Sequence, residues 1–354
     1  MKWKSRLAVG VALVVLGLVA WQAPAPAALE TGPYRLLKEI PIAGEGGWDY
    51  LSVDGVNRRL YVSHATKVVV IDIDSNTVVG EIADTPGVHG IAVAPGLGHA
   101  FTSNGQESKA SIVDLKTLKT ISKVDTGENP DAILYEPGHQ EVYTFNGRGK
   151  SATVFDAKSG EVRATIPLPG KPEFAVVDVK AGRIYNNIED TSSLVAIDTA
   201  THKVVDTWPI APGEEASGLA IDVAHHRLFI GCSNKLMLMM DSTNGKVLGS
   251  VPIGPGVDAN AFDPGTGLAF ASSSDATLTV ARVDNSGKLS IVQTLATPPR
   301  SRTMTLDPKT HRIYIATAQF ENQPPTTEGK PQRPRVVPAS FKVVVYEMAQ
   351  TAAR

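Results

Sequence analysis

Residues 131–168, DAILYEPGHQEVYTFNGRGKSATVFDAKSGEVRATIPL, contain the pattern that decides the fold. Four short apolar segments follow one another there: Asp131–Glu136, Glu141–Phe145, Ala152–Asp156 and Glu161–Leu168. Each is rich in β-branched, aromatic or other apolar residues and is bounded by short polar turns, which is typical of antiparallel strands. The stretch predicts a four-stranded unit, whose strands are named A to D in chain order.

The unit recurs seven times along the chain. The residues that open strand A, called landmarks below, are Asp49, His89, Asp131, Glu173, Ser217, Asp258 and Arg302. Twelve positions after each landmark stands an aromatic residue: Tyr61, Phe101, Tyr143, Tyr185, Phe229, Phe270 and Tyr314. Five positions after the landmark, an acid is present in all units but the second, which has Ala94. Four strands every 40 to 45 residues are typical of a β-propeller blade.

The last unit predicts how the ring closes. It has strands A (Arg302–Asp307), B (Arg312–Ala316) and C (Phe341–Glu347), but the chain ends soon after them. Near the N-terminus, Tyr34–Ile42 looks like a D strand without a unit of its own. We therefore predict an all-β, seven-bladed propeller of four-stranded antiparallel blades. It would form a single domain over residues 33–349, with the N-terminal strand completing the last blade and removing an exposed sheet edge.

Several segments also carry a family resemblance. Leu60–His64, LYVSH, followed by Val68–Asp72, VVVID, is the clearest copy, and Ala100–Asn104 and Ile313–Thr317 are weaker ones. These segments resemble the blades of the exported seven-bladed propellers of the YncE-like, YVTN-repeat family. The resemblance implies a periplasmic or secreted propeller, and some members of that family are proposed to bind DNA. Its motifs specify the blade and carry little chemistry.

The N-terminus predicts export. Lys2, Lys4 and Arg6 precede an apolar run, Leu7–Ala20, and small residues follow it, so residues 1–27 are interpreted as a cleaved signal peptide. An uncleaved anchor is the alternative, but the run is shorter than the roughly 20 residues that a spanning helix needs. We expect a periplasmic or secreted monomer with no membrane span in the mature chain.

Charge and cysteine usage exclude some functions. Without residues 1–27, 31 bases face 36 acids, a net charge of about −5, which disfavours nucleic acid as a partner. The single cysteine, Cys232, rules out an intramolecular disulfide and a metal site built on several cysteines. Short motifs for phosphate-binding loops, zinc peptidases, α/β-hydrolases and dinucleotide-binding folds are absent from the sequence.

The landmarks are the main candidates for a site. Strand A of each blade lines the central channel, so its first residue should lie at the channel mouth, on the face called the top. The predicted ligand-binding residues are Asp49, His89, Asp131, Glu173, Asp258 and Arg302. Loops between strands B and C on the same face add His64, Asn104, Asn146 and Glu189 as secondary candidates.

A divalent metal is one occupant that these residue types could hold. Carboxylates suit Ca²⁺, and carboxylates combined with imidazole suit Zn²⁺. Asp49, His89, Asp131 and Glu173 come from consecutive blades and form the candidate metal cluster. The alternative is that these polar groups only solvate the channel mouth. Arg302 could instead pair with Asp258 or Asp49 in a structural ion pair.

The last blade also contains an insertion. Residues 318–340, between its strands B and C, are rich in Pro and polar residues, and we expect little regular structure there. Because this loop belongs to the top face, it could fold across the channel mouth and present Phe320, Arg333 and Arg335 to a ligand. Long loops in compact domains are usually functional or disordered.

Three functions remain in competition. The favoured one is non-catalytic: a binding or scaffold protein of the cell envelope that holds a small ligand or an envelope protein at the top-face channel mouth. The second is a metal-dependent hydrolase or lyase, loosely similar to lactonase propellers, with its metal at the same place. The third, implied only by the family resemblance, is DNA binding, which the charge disfavours.

Overall fold

Seven four-stranded antiparallel sheets form the blades in the described part of the chain. The computed structural model describes residues 32–42, 44, 46–324, 332 and 334–349, so the predicted signal peptide, residues 1–27, lies outside the described part. The prediction of an all-β, seven-bladed propeller is confirmed. Within the described residues, no helix has the length and apolar character needed to cross a bilayer.

The strand bounds follow the predicted repeat. Strand A, nearest the channel, spans Leu51–Asp54, Val88–Ala94, Pro130–Glu136, Pro172–Asp178, Ala216–Asp222, Val257–Asp263 and Met304–Asp307. Strand B spans Arg59–His64, His99–Asn104, Glu141–Asn146, Arg183–Ile188, Arg227–Cys232, Leu268–Ser273 and Arg312–Thr317. Strand C spans Lys67–Asp72, Lys109–Asp114, Ser151–Asp156, Ser193–Asp198, Leu236–Asp241, Thr277–Val283 and Lys342–Met348. Strand D spans Thr77–Ile82, Thr120–Asp125, Val162–Pro167, Lys203–Pro209, Val247–Pro252, Leu289–Ala296 and, in the last blade, Tyr34–Pro41. Short 3₁₀ turns occupy Pro95–Leu97, Glu189–Thr191 and Val223–His225.

The ring closes as the sequence predicted. The N-terminal strand pairs antiparallel with strand C of the last blade, from Tyr34 opposite Met348 to Pro41 opposite Lys342. Gln293 of the sixth blade holds the beginning of this strand, because its Oε1 accepts from Tyr34 N at 2.9 Å and its Nε2 donates to Tyr34 O at 2.8 Å. The first and the last long strand of the described chain therefore belong to the same blade. This shared blade closes the ring between the seventh blade and the first.

The hydrophobic core lies between blades. The seven repeated aromatic side chains are all buried, none more than 3% exposed. Each of the seven apolar clusters in the described residues combines side chains of two consecutive blades; Tyr314 of the last blade, for example, packs with Leu60 and Val62 of the first. Burying an aromatic or large aliphatic side chain contributes roughly 1.5–3 kcal/mol. The regular spacing of the aromatics thus builds seven equivalent interfaces around the ring.

The repeated acids hold the turns at the opposite, bottom face. Asp263 Oδ1 accepts from Gly265 N at 3.0 Å, and its Oδ2 is 2.8 Å from His311 Nδ1 of the next blade. Asp307 is fully buried and is 2.9 Å from Arg58 of the first blade. These carboxylates fix turns and link neighbouring blades, as expected for Asp in a turn. They are far along strand A from the landmarks and take no part in the site described next.

Candidate functional site: an acidic cavity at the channel mouth

The landmarks converge on one cavity at the top face. Five landmarks line a cavity of about 270 Å³, and all five are predicted ligand-binding residues: Asp49, Asp131, Glu173, Asp258 and Arg302. Its lining also contains the landmark Ser217, the predicted loop residue Glu189, and two residues that the sequence did not single out, Lys171 and Glu215. Among the described residues of the lining, six carboxylates face two bases, so the cavity carries an excess of negative charge.

Two aromatic rings contribute to the wall of this cavity. Tyr50 of the first blade and Phe174 of the fourth lie one position after their landmarks, and their ring centroids are 4.4 Å apart. The hydroxyl of Tyr50 is buried and has no hydrogen-bond partner. Burial, followed by the negative charges of Asp131 and Glu173, raises the pKa of Tyr50 well above its usual value. The phenol therefore stays protonated and presents an unused polar atom among the acids.

His89 lies between two of the carboxylates. Its Nδ1 is 2.7 Å from Asp49 Oδ2 and 3.7 Å from Asp131 Oδ1. All three side chains are largely buried, with exposed fractions of 29%, 24% and 15% for His89, Asp49 and Asp131. Burial works against a charged imidazole, but the hydrogen bond with Asp49 and the negative charge of Asp131 raise the pKa of His89 overall. Ligating atoms of the three residues lie within 4.8 Å of one another, the spacing of a candidate metal site.

Buried serines of strand B hold these residues in place. Ser63 Oγ accepts from Asp49 N at 2.8 Å. Ser103 Oγ accepts from Gly90 N at 2.8 Å and donates to Asp131 O at 2.5 Å, so one hydroxyl ties the backbone beside His89 to that of Asp131. Both serines stand fourteen positions after a landmark and are fully buried. Hydrogen bonds of this kind fix the orientation of side chains that act at a site.

The absence of a side chain at Gly105 leaves space for the imidazole of His89. A Cβ added at Gly105, in the loop after strand B of the second blade, would lie 2.7 Å from His89 Nε2. Nonbonded atoms do not approach so closely, and therefore His89 can lie against this loop only because residue 105 has no side chain. The packing leaves Nδ1 as the ring nitrogen that faces Asp49 and Asp131.

Three of the other acids of the cavity lie beside two bases. Lys171 Nζ lies 2.6 Å from Glu173 Oε1 and 2.5 Å from Glu189 Oε2. On the far side, Arg302 is 3.5 Å from Asp258 Oδ1, while Asp258 Oδ2 is buried and has no hydrogen-bond partner. The predicted pair of Arg302 with Asp258 is therefore present, but it leaves one oxygen of that carboxylate unsatisfied.

Burial and mutual repulsion make these acids hard to ionise. Burial first, and then the charge of Asp49, raises the pKa of Asp131 to about 7. Burial and the charge of Asp131 raise the pKa of Glu173 to about 8, although Lys171 opposes the shift. Burial raises the pKa of Asp258 to about 6, with Arg302 opposing. Groups with strongly perturbed pKa values that share a cavity are typical of functional sites.

Three of the secondary candidates lie elsewhere. His64 is buried and stacks on Phe341, with ring centroids 4.3 Å apart. Asn104 Nδ2 donates to Glu107 Oε1 and Ser111 Oγ, both at 2.8 Å. Asn146 Nδ2 donates to Ser151 Oγ at 3.1 Å and Thr153 Oγ1 at 3.0 Å. The structure buries these side chains in their blades and does not bring them to the cavity, because strand B turns its last residue into the blade.

A second groove adjoins the cavity through Arg302. It measures about 530 Å³ and is lined by Trp48, Arg300, Arg302, Phe320 and neighbouring residues. In the described part of the insertion 318–340, regular structure is limited to a short ladder in which Phe320–Glu321 pairs with Arg335–Val336. The guanidinium of Arg300 lies 4.7 Å from the centre of the Phe320 ring. Arg335 pairs with Glu321, and Arg333 lies outside the described residues.

Sequence reasoning missed Tyr50, Lys171, Phe174 and Glu215. All four lie within two positions of a landmark, so a search extending two residues to either side would have included them. Comparison of the sequence with protein-family models and with curated proteins finds no match. The function is therefore inferred from the geometry and chemistry of the cavity.

Proposed function

We propose that this protein is a binding propeller that holds a small, positively charged ligand in the acidic cavity at the channel mouth. The observation that supports this most directly is the excess of six carboxylates over two bases in the described lining. Buried like charges raise the free energy of the folded protein unless a counter-charge compensates them. A bound cation would supply that charge.

The size of the cavity limits the ligand. A volume of about 270 Å³ corresponds to roughly nine water molecules at about 30 Å³ each. This lies just below the usual range of about 300–1,000 Å³ for sites that take drug-sized molecules. A hydrated metal ion or a small organic amine fits, whereas a polymer could only place one cationic group there. A cationic side chain of an envelope protein is such a group, and it keeps the scaffold role open.

The cellular setting is part of the same proposal. Export, a monomeric state and membership of the YncE-like family stay predictions from the sequence. DNA binding is disfavoured because phosphates would meet an acidic surface at the mouth. A metal-dependent hydrolase or lyase is the second candidate function, favoured by the contact of His89 with Asp49 and Asp131.

Calorimetric titration of chelator-treated protein with cations tests the proposal. The probes are guanidinium, ethylammonium, putrescine, Ca²⁺ and Zn²⁺, with sulfate as the matched anion. We expect at least one cation to bind with a stoichiometry of one, and the substitution Asp258→Asn to weaken that binding. Asp125→Asn is the control, since the side chain of Asp125 is 85% exposed. Binding of sulfate but of no cation would contradict the proposal.

A further inference from the structure

We infer that Asp49, His89 and Asp131 bind a single divalent transition-metal ion, for which Zn²⁺ is the probe. This inference rests on the proposed function, because the metal would be the cationic ligand of the acidic cavity. Asp49 and Asp131 line the cavity directly, and His89 contacts Asp49 from the side. The three residues come from the first, second and third blades, so the ion would also bridge blades.

The distances between the ligating atoms suit a metal. Zn²⁺ is bound by His nitrogen and carboxylate oxygen at about 2.0–2.2 Å, which places neighbouring ligand atoms roughly 3.0–3.5 Å apart. Here the Nδ1 of His89 is 2.7 Å from one carboxylate oxygen and 3.7 Å from another. The oxygens that Asp49 and Asp131 offer lie within 4.8 Å of each other, and rotation of both carboxylates would bring the three ligand atoms to ligating positions.

The chemistry of the three ligands selects the kind of metal. Ca²⁺ takes six to eight oxygen ligands, and an imidazole facing the ion leaves it poorly satisfied. Imidazole nitrogen suits Zn²⁺, Cu²⁺, Fe²⁺ and Ni²⁺, and two carboxylates add the negative charge that a divalent ion needs. One nitrogen and two oxygens therefore favour a transition metal over Ca²⁺ or Mg²⁺. Three protein ligands leave coordination positions free towards the cavity.

An independent observation points to an occupant of the same cavity, whose lining includes Tyr50 as well as Asp49 and Asp131. The hydroxyl of Tyr50 is buried without a hydrogen-bond partner, and the acids that act on it electrostatically are Asp131, Glu173, Asp49 and Asp258. A buried hydroxyl left unpaired costs about 1–3 kcal/mol, so such groups normally have a partner. A water molecule bound to a metal at Asp49 and Asp131 would give this hydroxyl the hydrogen-bond partner that the protein itself does not supply.

One other arrangement would satisfy the same side chains. Protons on both ring nitrogens make His89 an imidazolium whose Nδ1 donates to Asp49 at 2.7 Å, and the cluster is then a structural ion pair. The two arrangements differ in a measurable property, because an ion pair has no specific affinity for metal. Substitution of the ligands therefore decides between them.

The test is isothermal titration of chelator-treated, full-length mature protein with Zn²⁺, Mn²⁺ and Ca²⁺. The ligand variants are Asp131→Asn, Asp49→Asn and His89→Gln, each checked for folding by its melting curve. Asp178→Asn is the matched control, because it also removes a buried carboxylate, 2% exposed, but at the bottom end of strand A in the fourth blade. His225→Gln controls for Zn²⁺ bound at the bottom face, where His225 Nδ1 is 2.7 Å from Asp222.

We expect one Zn²⁺ per chain, bound more tightly than Ca²⁺, and a loss of affinity of at least about tenfold in each folded ligand variant. Asp178→Asn and His225→Gln should stay within about threefold of the parent. Zn²⁺ binding that survives Asp131→Asn and Asp49→Asn would overturn the assignment. If organic cations or Ca²⁺ bind but Zn²⁺ does not, the inference fails and the proposed function stands. If no cation binds, both fail.

Discussion

Neutralising Glu173 should stabilise the protein without its ligand, and the gain should grow with pH. The side chain is only 13% exposed, and burial next to Asp131 raises its pKa to about 8, against about 4.3 in an unfolded chain. Between these values the folded state binds more protons than the unfolded state. The contribution of Glu173 to stability is therefore complete below about pH 4 and is lost as pH rises towards 8. Glu173→Gln removes this loss.

The magnitude follows from the size of the shift. A shift of one pKa unit is about 1.36 kcal/mol, so the full shift sets an upper limit near 5 kcal/mol. Asp131 and Glu173 raise each other's pKa, and the Lys171 side chain can move towards whichever of the two is ionised. The actual gain is therefore smaller than the limit, and we expect Glu173→Gln to stabilise the protein by about 2 kcal/mol at pH 8 and about 0.5 kcal/mol at pH 5. In a domain of about 320 residues, 2 kcal/mol corresponds to roughly 3 °C in melting temperature.

Thermal melts followed by circular dichroism, in chelator and at pH 5 to 8.5, measure the effect. Glu161→Gln is the control, because Glu161 also pairs with a base, Arg163, but its side chain is 65% exposed. The control should move the melting temperature by less than about 1 °C at any pH. A melting temperature of Glu173→Gln at pH 8 that is equal to or below that of the parent would refute the reasoning. Such a result would mean that other groups compensate the negative charges of the cavity acids despite their burial.

Three further outcomes are expected. Ser103→Ala should weaken Zn²⁺ binding roughly tenfold, although Ser103 is not a proposed ligand. The reason is that its hydroxyl positions the backbone beside His89 and that of Asp131. An unchanged affinity in calorimetry would contradict this positioning role. Asp307→Asn should cost about 2–4 kcal/mol in urea unfolding, since Arg58 then loses a fully buried partner. Asp74→Asn removes the other carboxylate beside Arg58, but its side chain is 60% exposed, so its cost should be clearly smaller; equal costs would contradict this ranking. Burial raises the pKa of the Cys232 thiol to about 12. An aromatic disulfide reagent should therefore label Cys232 in denaturant but not in the native protein at pH 8. Rapid labelling of the native protein would show that the thiol is accessible and contradict this prediction.

The blade repeat was predictable from sequence because it depends on local alternation. A strand places successive side chains on opposite faces, so a fixed offset from the landmark predicts a fixed environment. The aromatic at offset twelve is buried in every blade, and the acid at offset five holds a turn in cases such as Asp263 and Asp307. The closing strand was predictable from the unpaired D-like segment at the N-terminus.

The site was predictable only in outline. That landmarks meet at the channel mouth follows from the topology, and Asp49, Asp131, Glu173, Asp258 and Arg302 all line the cavity. Which of them touch could not be predicted, because contacts across the channel depend on side-chain conformations and on residues far apart in the chain. The contact of Tyr50 with Phe174, between the first and fourth blades, has no local signal in the sequence.

The sequence by itself determined the seven blades, their turns and the way the ring closes, because each of these depends on short-range alternation and spacing. The tertiary structure alone decided which acids share a cavity, which histidine faces them and which polar atoms are left without partners. It also separated His89, which contacts two acids at the mouth, from His64, which stacks inside the ring. The physical reason is that charge, burial and hydrogen bonding at the mouth arise from several blades at once, whereas the repeat encodes one blade at a time.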